Sequence, residues 1–288
     1  MTQRQQDSPL ATPAGNSVLD DKIAFLEELC AAALRCGTSC LRLELYLSRV
    51  AGALGLQGDF LLTPRRSIVL IGAEGSERQV RVVHTGKASF DLGRLGSIEE
   101  VARRVGRGKL TAAEGTAALG ELAKTPPRYG AGWTALFGAL TASAFAVLLS
   151  AAWLDAAVAG LLSVLAFVVT SWASRWRVLR EATNLLAAFV VAFLASVFAA
   201  FSDGSNFLIM TLCGVVMLLP GFALTVGLGE LLRGLVVSGT QRIVSALVTS
   251  AELFMGGILG SLVAAAIFGD AATATASGSP GAWKWGAV

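Results

Sequence analysis

The residues best suited to chemistry lie in and just after one apolar stretch, 215–229, which has the composition of a membrane-spanning helix. The dipeptide Pro220-Gly221 interrupts this stretch, because proline removes a backbone donor and clashes with the preceding helical turn. Such a break survives in a bilayer only where it packs in protein or lines a polar cavity. Many secondary transporters build their substrate sites from discontinuous helices. The pattern therefore indicates a solute site, with a kinked helix leading into an ordinary cytosolic loop as the open alternative.

Charged and small polar residues follow the break. Glu230 and Arg233 are three residues apart and can pair on one helix face, although an exposed pair of this kind stabilises little. We expect the free helix ends at the break to bind the carboxylate or carbonyl groups of a substrate. Glu230 would then face a substrate amine or carry a coupling proton. The other candidates in this segment are Ser238, Gly239 and Arg242.

Glu252 is a second carboxylate in a position that a bilayer would make costly. It lies nine residues after Ile243, where the last apolar run begins, and this separation is about 13 Å along a helix. At that depth Glu252 would carry a proton or contact a substrate amine. If the span begins near Leu253, Glu252 lies in the membrane interface, and both positions stay open. Asn184 is a weaker candidate of the same kind.

Composition divides the chain into a polar N-terminal part and an apolar remainder. Hydrophobic residues make up 54% of the 288 residues, and the mean hydropathy of +0.65 is too apolar for a soluble two-domain protein. Residues 1–130 hold 17 of the 23 Lys and Arg, whereas residues 131–269 hold ten charged side chains and no lysine. We therefore predict an α-helical membrane domain of five transmembrane helices, preceded by a small α+β soluble domain.

The same composition shifts set the domain boundaries. We predict a disordered tail at 1–18, a cytosolic α+β domain at 19–127, a five-helix transmembrane domain at 131–269, and a mobile C-terminal tail at 270–288. The polar first segment has no apolar core and is not typical of a signal peptide.

Capping and alternation patterns predict the elements of the soluble domain. A helix at 23–36 is followed by one that Thr38 or Ser39 caps. Residues 67–71 and 79–85 read as a β-hairpin, with 60–63 as a further strand. Capping boxes at Ser97 and Thr111, each with Glu three residues later, open two more helices.

Five apolar runs are long enough to cross a bilayer, which takes about 20 residues. Asp155 marks a very short turn between the first two, and a Gly-rich face at 256–261 is typical of helix packing rather than ligand binding. The predicted spans are Trp133–Trp153, Ala156–Ser174, Ala182–Ser202, Asn206–Gly229 and Ile243–Phe268.

The arginines set the predicted orientation. Arg175, Arg177 and Arg180 follow the second span, and Arg233 and Arg242 follow the fourth, whereas the other two connections carry only aspartate. By the positive-inside rule, the soluble domain and these connections are cytosolic, and five spans place the C-terminus outside.

Other kinds of chemistry find little support. Three of the four cysteines, Cys30, Cys36 and Cys40, follow a helical pattern and are interpreted as small buried hydrophobes, because the single histidine lies far off and supplies no metal-ligand spacing. The chain carries no cofactor motif. The small, dispersed net charge of +3 argues against nucleic-acid binding. Ser67, His84 and Asp91 have no spacing that supports a hydrolase triad.

The run LLPGFALTVGLGELLRGLVVSGTQR resembles the signature of the threonine/serine exporter family. Leu219-Pro220-Gly221, the acidic residue Glu230 and Arg233 three residues later match it. The rest of the match consists of Gly234, Ser238, Gly239 and Arg242. Segments of the N-terminal domain are also similar, so the resemblance covers nearly the whole chain. The acidic position is usually aspartate in the family, and Glu230 keeps the charge with a longer reach.

This resemblance implies export of a small polar metabolite across a bacterial inner membrane by proton-coupled alternating access. Threonine and serine are the expected substrates, with a dicarboxylate as the alternative. Because the chain ends after five spans, it resembles the large subunit of a split exporter, which implies a second small membrane subunit or a homo-oligomer. Two readings from other classes stay open: a membrane-anchored sensory or regulatory protein, and a hydrolase using the cytosolic domain. An anchor has no need of a broken, charge-bearing span, so we predict a transporter and not an enzyme.

Overall fold

The computed structural model describes residues 17–73, 75–85, 91–126, 129–176, 178–202 and 204–269. Its contacts divide the chain into two compact units, one of residues 1–127 with 229–241 and one of residues 128–228 with 242–288. Nearly all of the predicted N-terminal tail, the whole of the predicted C-terminal tail, and Arg177 and Asp203 lie outside the described residues.

The first unit combines helices with one small sheet. The three strands form an antiparallel sheet in the order β1-β2-β3, which confirms the predicted hairpin and the further strand before it. The elements are α1 (Ser17–Arg35), α2 (Cys40–Ala53), β1 (Leu56–Leu61), β2 (Arg66–Ala73), β3 (Gln79–His84), α3 (Leu92–Gly106) and α4 (Ala112–Lys124).

Helix α1 lies at the centre of this unit's hydrophobic core, where Phe25, Leu26 and Leu29 are fully buried. Cys30, Cys36 and Cys40 are buried free thiols in the same core, as the sequence predicted. Burial raises the pKa of the Cys30 thiol to about 12, so this thiol stays protonated and unreactive in the folded protein.

Two of the predicted helix caps are correct and one is wrong. Ser39 caps α2 by accepting the N–H of Arg42, and Thr111 forms a reciprocal capping box with Glu114. Ser97, however, lies inside α3, where its hydroxyl faces the carbonyl of Gly93. The cap of α3 is Asp91, whose carboxylate accepts the N–H of Arg94 at 2.9 Å. The carboxylate six residues upstream begins the helix first, because it meets the free N–H groups directly.

The second unit is helical. Four helices are long and apolar enough to cross a membrane, and α8 and α9 together qualify as a fifth span bent by 42°. The described residues therefore hold four or five candidate spans. The helices of this part of the chain are α5 (Ala131–Leu148), α6 (Trp153–Ala173), α7 (Thr183–Phe201), α8 (Phe207–Gly214), α9 (Gly221–Leu232) and α10 (Val236–Phe268), with a 3-10 turn at Val216–Leu218. The end of α9 and the start of α10 belong to the first unit.

The first connection lies earlier than predicted. Helix α5 ends at Leu148, and Ser150 adopts a positive φ of 63°. Ser150 N–H then bonds Val147, and Ala151 N–H bonds Ala146, which completes a Schellman-type helix end. Asp155 is consequently not in the turn but in the first turn of α6, where it is 2% exposed.

The last connection is also shorter than predicted. Helix α10 begins at Val236, so Ser238, Gly239 and Arg242 are helical residues rather than part of a cytosolic loop. Its 33 residues extend about 50 Å, well beyond the roughly 30 Å of a hydrocarbon core.

Small residues let α10 pack closely on α7, as predicted for the Gly-rich face. A Cβ at Gly256 would overlap the carbonyl oxygen of Leu185, and one at Gly260 would overlap that of Phe189. The ring of Phe201 meets that of Phe268 at 5.8 Å. From Glu252 to Phe268, α10 therefore runs parallel to α7 at backbone contact distance.

Replacing Gly260 with alanine should destabilise the protein by about 1–3 kcal/mol, because the new Cβ forces the two backbones apart. The matched control is Gly257→Ala on the same helix, since a Cβ there meets no atom within 4 Å. Thermal unfolding in detergent measures both, and equal melting temperatures for the two variants would contradict the close approach.

Candidate functional site

The break in the fourth apolar run spans several residues rather than a single kink. Helix α8 ends at Gly214, a 3-10 turn follows, and Leu219 is extended with φ −65° and ψ 128°. An extended residue before Pro220 is expected, because the proline ring disfavours helical geometry there. Helix α9 then starts at Gly221.

Tight turns satisfy much of the backbone at this break. Leu218 donates to Val215 at 2.8 Å, and Leu219 donates to Val216 at 3.2 Å. The N–H of Gly221 donates to Leu219 at 2.9 Å, so this donor is not free at the start of α9. The role predicted for the helix ends at Pro220-Gly221 stays a prediction, and the side chains beside the break are further candidates for contact with the substrate.

A cavity of about 150 Å³ lies against the break, between α5, α6 and the end of α8. In this measure the volume is about ten times what one buried water requires. None of its lining residues is charged, and three carry hydroxyl groups. The lining comprises Thr134, Ala135, Gly138, Ser163, Ala166, Phe167, Thr170, Gly214, Met217 and Leu218.

Ser163 presents the most available polar group of this cavity. The hydroxyl groups of Thr134 and Thr170 bond carbonyl groups of their own helices. The Ser163 hydroxyl makes no such bond among the described residues, and Gly138 leaves the space in front of it open, since a Cβ there would lie 3.5 Å from Ser163 Oγ.

Sequence reasoning missed these cavity residues. The available signal was the helical spacing of small and hydroxyl-bearing residues, with Thr134 and Gly138 four apart on α5 and Ser163 and Thr170 seven apart on α6. Such spacing also serves plain helix packing, so only the cavity distinguishes them.

Asn184 and Glu252, predicted separately, are brought together. Asn184 Nδ2 donates to Glu252 Oε2 at 2.9 Å, joining α7 to α10. Asn184 is the second residue of α7, so the pair lies at the end of α7 that follows the arginine-bearing connection. This position favours the interfacial placement of Glu252 over one deep in the span.

Glu230 is engaged in the first unit. Its side chain is 1% exposed, and its Oε1 accepts the N–H of Cys40, the first residue of α2, at 2.8 Å. A carboxylate at a helix N-terminus is stabilised by the partial positive charge of the free N–H groups. Leu235 packs against the hydrophobic core of the same unit. The predicted transmembrane domain is 131–269, whereas the contacts of the structure group residues 229–241 with the N-terminal part of the chain.

The predicted pairing of Glu230 with Arg233 does not form. Helix α9 ends in a Schellman-type turn, in which Leu235 N–H bonds the Glu230 carbonyl at 2.9 Å and Gly234 has φ 84°. Arg233 falls within this turn, is exposed, and has no ion pair in the part of the chain that the structure describes. Ser238, Gly239 and Arg242 are all buried on α10.

Replacing Glu230 with alanine should expose the start of α2. Loss of a hydrogen bond to a charged group costs about 1.5–3 kcal/mol, so amide exchange at residues 39–43 should accelerate about 10- to 150-fold. Glu230→Gln, which keeps an acceptor, should have a smaller effect. Glu44→Ala on α2 serves as the control, and hydrogen exchange equal to that control would rule out the cap.

The chain is similar to a known family of membrane proteins and to several fungal proteins. The model of the ThrE threonine/serine exporter family matches residues 24–264. An uncharacterised protein of Schizosaccharomyces pombe is 25% identical over 82% of this chain and 32% of its own length. Pheromone-regulated membrane protein 10 of Debaryomyces hansenii is 27% identical over 90% of this chain and 26% of its own length. The corresponding Candida albicans protein is 27% identical over 91% of this chain and 24% of its own length.

This chain therefore spans about a quarter to a third of the curated relatives that it matches. No solved structure gives a significant match. The family match extends over both the N-terminal unit and the apolar helices, and the family's members are membrane transporters rather than enzymes. The chain belongs to the threonine/serine exporter family, as the resemblance of its 219–242 segment predicted.

Proposed function

We propose that this chain forms the solute pathway of an exporter for a small polar amino acid, with threonine and serine as the substrates. The observation that carries the proposal is the uncharged, hydroxyl-bearing cavity beside the break between α8 and α9. Substrate sites of secondary transporters lie at such discontinuous helices.

The lining of the cavity favours a zwitterion over a dicarboxylate. A dicarboxylate carries two negative charges, and burying them without cationic partners is costly. Threonine and serine have no net charge, and their hydroxyl group can bond the free hydroxyl of Ser163. The described lining of the cavity offers no lysine or arginine.

The mechanism we propose is alternating access. The bent segment at Val215–Pro220 is the element that changes, because its tight turns can exchange partners more easily than an unbroken helix can. The glycine-mediated contact of α7 with α10 would stay fixed as this segment moves.

Coupling to the proton gradient is assigned to Glu252, with Asn184 holding its carboxylate. The Arg-bearing connections are proposed to face the cytosol of a bacterial cell, which places the N-terminal unit in the cytosol and the end of α10 outside. Glu252 would then exchange its proton with the cytosol. Glu230 is proposed to be a positioning residue that ties the α9–α10 connection to α2, instead of a substrate ligand.

A second five-helix subunit, or a second copy of this chain, is proposed to complete the exporter. Residues 243–251 of α10 precede the part that runs beside α7, and they expose Val244, Leu247 and Val248 by more than half. A partner helix would bury this apolar surface.

Efflux from cells loaded with labelled threonine, serine or succinate tests the function. We expect efflux of threonine and serine but not succinate, in the presence of the partner subunit. A correctly inserted protein that moves none of the three would favour a sensory or regulatory role. A hydrolase role finds no support at Ser67, whose fully buried hydroxyl donates to the Thr63 carbonyl.

Filling the cavity should block transport without harming the fold. Gly138→Val places methyl groups toward Ser163 Oγ and Met217, both ordinary contact distances from a Cβ. A misfit of one methylene in a substrate pocket changes the discrimination between substrates by about 10- to 200-fold. We therefore expect the rate of threonine efflux to fall by a factor in that range. Gly132→Val on the same helix, where a Cβ meets nothing within 4 Å, is the control. Equal efflux by both variants would move the site elsewhere.

Replacing Glu252 with glutamine should abolish efflux driven by a pH gradient while leaving thermal stability unchanged. The glutamine carbonyl still accepts the bond from Asn184, but it cannot carry a proton. Reconstituted vesicles with an imposed pH gradient provide the measurement. Wild-type efflux rates in this variant would remove Glu252 from the coupling mechanism.

A further inference from the structure

Asp155 is a buried carboxylate to which neither the family signature nor the proposed cavity gives a role. It lies in the first turn of α6 and is 2% exposed. One oxygen, Oδ2, accepts the backbone N–H of Asn206 at 3.1 Å. Asn206 is the cap of α8, and its own side chain accepts the N–H groups of Leu208 and Ile209. Asp155 is thus attached to the start of the interrupted helix.

The second oxygen of Asp155 has no partner. Oδ1 is buried and makes no hydrogen bond in the described structure. A structural staple between α6 and α8 needs only Oδ2, and an unsatisfied buried acceptor is costly to maintain. A buried polar atom of this kind calls for an explanation such as a functional role or a bound ion.

Two further buried hydroxyl groups without partners, those of Ser196 and Thr211, lie at the same end of the bundle. Ser196 is five residues before the end of α7, and Thr211 is four residues after the start of α8. The bond from Asn206 to Asp155 places the start of α6 at this end as well. A carboxylate oxygen is a hard ligand that suits a hard cation, and it can also take up a proton.

Among the described residues, the helices that pack around Asp155 carry little else that titrates. Helices α5 and α7 carry no acidic or basic residue, and α8 contributes the buried thiol of Cys213. Cys213 packs with Ala151, Ala156 and Ala159 in an apolar cluster around the start of α6. No described side chain of opposite charge on these helices is therefore available to neutralise the carboxylate.

We propose that Asp155 Oδ1 binds the coupling cation, a proton or Na⁺, where that cation enters from the side opposite the arginines. The proposal rests on the exporter function, because a cation that drives export must enter from the side to which substrate leaves. Because Asp155 also bonds the cap of α8, a cation bound at Oδ1 can shift the position of the interrupted helix. Asp155 and Glu252 are then the two ends of the cation pathway.

Thermal unfolding of the purified chain tests cation binding without any transport assay. A ligand that binds only the folded state raises the melting temperature, by about 5 °C at a hundredfold excess over its Kd. We compare NaCl with choline chloride at constant ionic strength, and then a pH series without Na⁺. A rise with Na⁺ identifies Na⁺, and a larger rise on acidification in wild type than in Asp155→Asn identifies a proton.

The Asp155→Asn variant separates binding from structure. Its amide oxygen still accepts the Asn206 N–H, so the fold is retained, but the charge and the proton site are lost. We expect the cation-dependent shift to disappear in Asp155→Asn and to persist in Glu181→Gln, an exposed control in the α6–α7 connection. If Asp155→Asn keeps the wild-type dependence on both Na⁺ and pH, or if wild type shows neither, the proposal is overturned.

Transport assays then distinguish this proposal from the function on which it rests. Asp155→Asn should retain exchange of internal for external threonine at equal pH and Na⁺. It should lose the dependence of net efflux on the cation gradient, an effect of about 5- to 150-fold if the coupling has the strength that is typical between two sites of a protein. Absence of all threonine movement in wild type would count against the exporter function, while the unfolding result would still decide whether Asp155 binds a cation.

Discussion

The constraint on which the membrane unit depends is that backbone groups in a bilayer need hydrogen-bond partners within the protein. A helix meets this requirement along its length, but the segment Val215–Pro220 cannot. It compensates with a 3-10 turn and with bonds across two to four residues. Because these bonds are local, the segment can bend without help from distant residues. The rest of the unit has to surround it, which explains the mutual packing of α5, α6, α7 and α8 around the break.

Two buried carboxylates, one before and one after this break in the sequence, accept backbone N–H groups at the starts of helices. Asp155 accepts from the cap of α8, where the interrupted segment begins, and Glu230, near the end of α9, accepts from the start of α2. In both cases a carboxyl oxygen accepts a backbone N–H at the start of a helix. The two carboxylates differ in whether an oxygen is left without a hydrogen-bond partner in the described structure. Asp155 retains an unpartnered oxygen in the described structure, and this free acceptor distinguishes the proposed cation site from a purely structural contact.

Small residues determine which parts of the helical unit can be rigid. Close contacts at Gly256 and Gly260 bind α10 to α7, and Gly160 fits against Ser143 on α5 in the same way. At Gly138 the opposite holds, because the missing side chain leaves open space in front of Ser163. The same residue type therefore builds tight contacts in one place and a cavity in another, depending on what the neighbouring helix presents.

Much of the architecture was determined by the sequence itself. Runs of apolar residues identify membrane helices because length and hydropathy suffice, and Pro220 predicts a break because its ring chemistry is local. The cap at Thr111 and the β-hairpin followed from short-range patterns for the same reason. Even so, Ser97 was a wrong cap, since two local signals competed and Asp91 met the free N–H groups first.

Only the tertiary structure decided what the polar residues contact. Glu230 and Cys40 are 190 positions apart, and Asn184 and Glu252 are 68 apart, so no helical spacing could join them. The sequence predicts a turn at Asp155, but the chain already turns at Ser150, so Asp155 lies in the first turn of α6. Local patterns determine where a helix forms, whereas the partner of a buried charge depends on which helix ends meet, and packing of the whole chain sets that.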